Sequence, residues 1–271
     1  MRKEEYLASP TVSSFIHWIE PILDTPQSYI HEFNQAKPKK QYVSSNLYSD
    51  YEQYDWSISG EITEFSELLK KSIEESNERD CERICYEILK WGGVSRWNKE
   101  RISRLSPDLC GYLRFMRDRL GRDLASNEYY IRKIEMTAGF SKIYSAYIDD
   151  FIIYDSRVGA AIGLFVRQFC LEMNSPVVPE ELRFAWNSGK GNNTSHGASK
   201  RDPSKYGYDF PQWRTDPKKH LENNVRANWL LSTLSKKTES RFSSIEESKR
   251  LRAIEQALFM VGYDVTDVHF D

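Results

Sequence analysis

The stretch "GFSKIYSAYIDDFIIYDSRVGAAIG", Gly139 to Gly163, sets Lys142 at the mouth of one helical pattern and Asp155 at the mouth of the next, across an apolar turn. An aspartate at a helix N-terminus stays ionised, because the partial positive end of the macrodipole favours its charged form. In the turn "MTAGFSK", Gly139 lies between two helical stretches, where amide N–H groups and the following helix N-terminus suit a phosphate. Gly159, Ala160 and Gly163 then permit another element to approach closely. A simpler reading involves no chemistry: Asp155 caps its helix and Lys142 is a solvated surface residue.

The elements that must position this pair read mainly as helix, because apolar residues recur at three and four and strand-like alternation is scarce. Ile62, Phe65, Leu68, Leu69 and Ile73 give one apolar stripe. Ile84, Ile88 and Leu89 continue a second, stopped by Gly92 and Gly93. Ser106 suits an N-cap, Pro107 a first helical position and Gly121 an exit. A capping box from Ser244 to Glu247 opens a last helix that ends at Gly262. Residues 1–60 carry little helical signal and read as an irregular N-terminal segment packed on a helical body of residues 61–271. A second irregular region, 187–217, is too rich in Gly, Asn, Ser and Pro for a long regular element. Its embedded Tyr206, Tyr208, Phe210 and Trp213 favour an ordered, functional loop.

With 271 residues, 39% of them apolar, the chain can bury a sizeable core. Runs such as "FIIY" and "ALFMVG" fall short of the roughly 20 apolar residues that cross a bilayer. The start "MRKEEYLASP" develops no apolar export core, so the expected location is cytoplasmic, with no membrane partner. Cys81, Cys85, Cys110 and Cys170 form no CxxC pair, and no histidine completes a zinc site around the first two, so no metal is expected. The net charge of −2 lacks a global basic signature. From Asn187 to Arg226, however, eight Lys/Arg stand against four Asp/Glu, with His196 and His220 besides. A local basic face of that kind suits phosphates.

The segments "TAGFSKIYSAYI" and "IIYDSRVGAAIG" together resemble the helix-hairpin-helix DNA glycosylases. They are more closely similar to bacterial proteins with the 8-oxoguanine DNA glycosylase fold, a group that includes anti-phage glycosylases removing glucosylated hydroxymethylcytosine from viral DNA. The likeness is sharp over about 25 residues and looser through "ILKWGGVSRWN" and "RFAWNSGKG". It implies a helix-hairpin-helix fold with the hairpin at about 136–163. Asp155 matches the catalytic aspartate, Lys142 the hairpin lysine and Gly139 a hairpin glycine; Ser141 stands near the second glycine's place and Arg157 where many members have histidine.

The implied activity is excision of a damaged or phage-modified base from double-stranded DNA, without metal, organic cofactor or obligate protein partner. A flipped nucleotide costs a few kcal/mol to extrude. A carboxylate beside C1′ stabilises the cationic sugar, and a neutral Lys142 amine would attack C1′ to give a Schiff base. The loop with Arg96, Trp97 and Asn98 offers a wedge for the vacated stack. Lys190, His196, Lys200, Arg201, Lys205 and Tyr206 offer phosphate contacts, though tryptophans at a helix end and charges on a surface loop are as often structural. His17, Trp18, Tyr29 and His31 are a weaker set for base stacking, since aromatics at such spacing are more often core. The alternative is a noncatalytic nucleic-acid-binding helical module in which Asp155 is only a cap.

Overall fold

The computed structural model describes the chain except residues 37–38, 56–61, 190–198, 267 and 271, with backbone alone for 34–36 and 39–40. It is mainly α, with one small sheet. Two helices form its centre, α8 (Ala138–Tyr147) and α9 (Ser156–Glu172), joined by a link that turns at Asp149–Asp150 and then runs without helix or strand to Asp155. Every residue of α8 from Gly139 to Tyr147 is buried, as is α9 from Val158 to Arg167, so neither keeps the polar face of a surface helix. Around α8 pack α4 (Ile62–Glu74), α5 (Glu78–Trp91), α6 (Ser95–Leu105) and α7 (Leu109–Leu120). On the other side α11 (Glu247–Val261) packs on α9 and on α10 (Pro217–Lys237).

The sequence stripes explain most of these contacts. Ile62, Leu69 and Ile73 face inward, as do Cys81, Ile84, Cys85, Ile88 and Leu89. Leu68 departs from its expected stripe and is 51% exposed. Gly92 and Gly121 close α5 and α7 as expected, each amide donating back into its own last turn. Two expected starts shift. Residues Ser106–Asp108 form a 3-10 turn before α7, because the Ser106 hydroxyl is drawn to Glu82 Oε2 at 2.8 Å instead of capping. Likewise Ser244 closes a 3-10 turn by donating to the Arg241 carbonyl at 2.7 Å, and α11 begins at Glu247 without a capping box.

The N-terminal segment is corrected more broadly: it is regular, not irregular. It carries α1 (Lys3–Ala8), α2 (Pro10–Ile19), strands β1 (Ile30–Ala36) and β2 (Lys39–Ser44), and α3 (Leu47–Glu52). Pro10 at the first position and the buried stripe Val12, Phe15, Ile19 make α2 an ordinary amphipathic helix. The strands pair antiparallel, with Phe33 opposite and stacked on Tyr42, ring centroids 4.6 Å apart. The C-terminal β3 (Val268–His269) adds to β1, giving the order β2-β1-β3. Strands β1 and β2 are mostly polar in sequence, with His31 at a buried position, so they show little apolar alternation, which hid them. The expected packing on the body holds, through Phe15 on Phe169, Tyr29 on Phe165 and α3 on α11. Among the described residues no helix is long and apolar enough to cross a membrane.

Candidate active site

Asp155 and Lys142 meet. Lys142 lies one turn into α8, only 5% exposed, and its Nζ donates to Asp155 Oδ2 at 3.3 Å and to the Ala138 carbonyl at 3.4 Å. A solvated surface lysine is therefore excluded. Its stem runs past Gly92, where an added Cβ would lie 2.4 Å from Lys142 Cδ, so a larger residue at the end of α5 would displace the lysine stem. Asp155 caps its helix and also faces the lysine. Oδ1 caps α9, accepting from the Arg157 and Val158 amides at 2.9 and 3.3 Å, while Oδ2 is turned to Lys142.

Among the described residues, both side chains line a cavity of about 700 Å³. Tyr54, Trp91, Trp213 and Phe259 give it aromatic walls, and Lys142, Arg157 and Arg201 surround the Asp155 carboxylate. Burial alone pushes that carboxyl up, but the charges of Lys142, Arg157 and Arg201, with the Arg157 amide, outweigh it and hold it at about 2. The Arg157 guanidinium, stacked on Phe259 at 4.1 Å and Tyr263 at 4.9 Å, is brought down to about 10 by burial and by Arg201 beside it. The site is thus an ionised carboxylate among cations, in a cavity that aromatic side chains also line.

The expected DNA contacts divide. Arg96 and the 62%-exposed Trp97 stand free at the cavity, the guanidinium 5.1 Å over the indole ring. Asn98 lines the cavity beside them but is itself buried, donating to the Val94 carbonyl and accepting from Thr137 Oγ1 at 2.7 Å, so it ties α6 to α8. Gly139 serves that tie, since a Cβ there would lie 2.4 Å from Asn98 Nδ2. The phosphate cradle before Lys142 is corrected, because the Gly139 and Phe140 amides already donate to the Thr137 hydroxyl. Ser141, also expected among the contacts, is fully buried and bonded inside the fold. From the loop, Arg201 lines the cavity and donates to Ser156 Oγ. Lys200 lies outside the cavity lining and pairs with Asp264 at 2.6 Å. Lys205 and the 66%-exposed Tyr206 form a surface turn outside the lining as well. Lys190 and His196 fall outside the described residues. Of the weaker set, His17 is exposed on α2, Trp18 packs on Phe169, and Tyr29 and His31 are buried against Asp50. Among the described residues no group of His, Cys, Asp or Glu could hold a metal ion.

Of two residues not singled out for this site, Glu255 joins it and His220 packs behind it. Glu255 lines the cavity, its carboxylate bonded to Arg252 at 2.6 Å and to the Ile153 amide at 2.7 Å. Burial pushes it up despite Arg252. Its sequence signal was a charge on the buried stripe of α11, between Leu251 and Leu258. His220 stacks on Trp213, centroids 4.5 Å apart, and its Nε2 donates to the Tyr154 carbonyl at 2.6 Å.

Burial holds the His220 imidazole down at about 4, against the opposing pull of the Tyr154 carbonyl and Asp155. Below about 6.5 the unfolded histidine takes up a proton that the folded one refuses until about 4, so stability falls across that window as pH drops. The expected loss is about 3 kcal/mol, complete by pH ~4. In urea titrations from pH 7 to 4, His220→Gln, which keeps an N–H for Tyr154, should flatten this slope; a variant slope equal to the wild type's would refute the assignment. Glu255, shifted the other way, is common to both proteins and cancels in the comparison.

No protein-family model, curated protein or solved structure matches this chain.

Proposed function

We propose that the protein is a DNA glycosylase that takes a flipped, damaged or phage-modified nucleotide into the cavity and hydrolyses its glycosidic bond. The observation that carries this reading is the ion pair of Asp155 and Lys142 in the lining of a cavity large enough for a nucleoside. The unit α8–link–α9, with the pair at its two helix starts, agrees with a helix-hairpin-helix glycosylase fold. In this reading the base stacks against the aromatic walls, and Trp97 with Arg96 meets the duplex at the rim. As the C1′–N bond breaks, its electron pair leaves with the base, which takes a proton, while the hydroxyl of the attacking water is left on C1′. Asp155, ionised throughout the neutral range, stabilises the positive charge at C1′ and orients the water that attacks it. The products are free base and an abasic site. Lys142 holds Oδ2 in place, while Arg157 and Arg201 draw the acidic backbone towards the carboxylate.

The test is release of free base from duplexes carrying uracil, 8-oxoguanine, hydroxymethylcytosine or glucosylated hydroxymethylcytosine, with unmodified duplex as control. Release from one modified duplex is expected, and the glucosylated one would place the protein in anti-phage defence. Borohydride trapping in the same tubes reports whether the Lys142 amine attacks C1′. Duplex binding without release from any of them would replace this reading by a noncatalytic binding module.

A further inference from the structure

The link that delivers Asp155 to the cavity, from Phe151 onward, is neither helix nor strand and has no strand beside it among the described residues. Five of its backbone polar groups are nevertheless bonded, all by side chains. The Ile152 amide donates to Asn228 Oδ1 at 3.0 Å, and the Ile152 carbonyl accepts from Asn224 Nδ2 at 3.1 Å. The Ile153 amide donates to Glu255 Oε2. The Tyr154 amide donates to Ser141 Oγ at 2.8 Å, and the Tyr154 carbonyl accepts from His220.

Three of these partners, His220, Asn224 and Asn228, recur every fourth residue along one face of α10. That spacing is one helical turn, so the face presents a column of polar groups to the link, as a neighbouring strand would. Ser141 closes the arrangement. It is the residue before Lys142, it accepts from the residue before Asp155, and its hydroxyl donates to Asn224 Oδ1 at 2.9 Å. The helix carrying the lysine and the link carrying the aspartate are therefore bonded to each other one residue away from the reactive pair.

We infer that the α10 column His220–Asn224–Asn228, together with Ser141, acts as a surrogate strand whose role is to position Asp155 against C1′ of the flipped nucleotide. The inference rests on the glycosylase reading. None of these residues lines the cavity, so each acts through Asp155 and not on the substrate. A displacement of about 1 Å at a reacting group costs up to about a hundredfold in rate, whereas binding of the duplex depends on the cavity rim and its cations.

The experiment measures single-turnover base release and duplex affinity in parallel, on whichever modified duplex of the panel the wild type cleaves best. Ser141→Ala removes both serine bonds with almost no change of volume, and Asn228→Ala removes the Ile152 bond at a half-buried site. Each is expected to slow release on the order of tenfold while affinity stays within about twofold. Asn228→Asp keeps an oxygen for the Ile152 amide and is expected to recover most of the rate. Wild-type release with unaltered Ser141→Ala and Asn228→Ala rates, or an Asn228→Asp rate no better than Asn228→Ala, overturns the positioning role alone. A wild-type protein that releases nothing overturns the reading beneath it.

Discussion

Asp155→Asn is expected to lower base release by at least about a hundredfold, the low end for a positioned catalytic group. The substitution is well suited to the question because asparagine is as good an N-cap as aspartate, so the Oδ1 bonds to Arg157 and Val158 persist. What disappears is the negative charge facing Lys142 and the cavity. With that charge gone, Lys142, Arg157 and Arg201 are less compensated, and affinity for duplex should hold or rise. The variant therefore separates the two roles of the residue within one experiment. A folded Asp155→Asn protein that binds duplex and no longer releases base is the expected result. If release continues at the wild-type rate, the carboxylate is a cap and nothing more. Stability should also fall, since Lys142 is left buried without its partner, so the release assay belongs well below the melting temperature of the variant.

The largest effect on stability is expected at a residue outside the cavity. An added Cβ at Gly262 would lie 1.9 Å from the Arg157 carbonyl oxygen and 2.4 Å from its carbon. Both are backbone atoms of the first turn of α9, so no side-chain rotation relieves the clash. Gly262 has a φ of −72°, a conformation open to any residue; the demand for glycine is one of closeness, not of backbone geometry. Gly262→Ala must push the end of α11 away from α9, at a cost of about 3 kcal/mol, the upper range for overpacking. For a chain of this size that is a fall in Tm of about 5 °C, measurable by calorimetry. An unchanged Tm would mean that the two helices do not meet this tightly. Because the displaced atoms belong to Arg157, base release should drop with stability.

Much of the candidate site was legible in the sequence because it is local. Lys142 and Asp155 are thirteen residues apart on consecutive elements, and the glycines after α5, α7 and α11 punctuate helices as glycines do. Which way a side chain faces was far less legible. Asn98 and Ser141 are polar residues next to a basic, aromatic stretch, and sequence alone suggests solvent; both in fact turn inward to join helices. Gly92 and Gly262 read as simple helix ends, while their tighter constraint comes from Lys142 and Arg157, distant in the chain. Glu255 and the α10 column were harder still, since their partners lie from 66 to 102 residues away. Only the polar residues interrupting buried stripes hinted at them. The small sheet escaped because β1 and β2 are mostly polar and β3 has two residues, so the apolar period of two hardly shows.

An ordinary strand can slip by two residues against its neighbour and still find a full ladder, because every backbone offers the same donors and acceptors. The link from Ile152 to Asp155 has no such freedom. Its neighbours are five different side chains, each usable by one group only, so a shift in either direction leaves amides and carbonyls buried without partners. Asp155 is located by address and not by register. An insertion or deletion between Ile148 and Asp155 would have no compensating alignment to fall into, whereas the surface turn at Lys205–Tyr208 can change length without moving the aspartate.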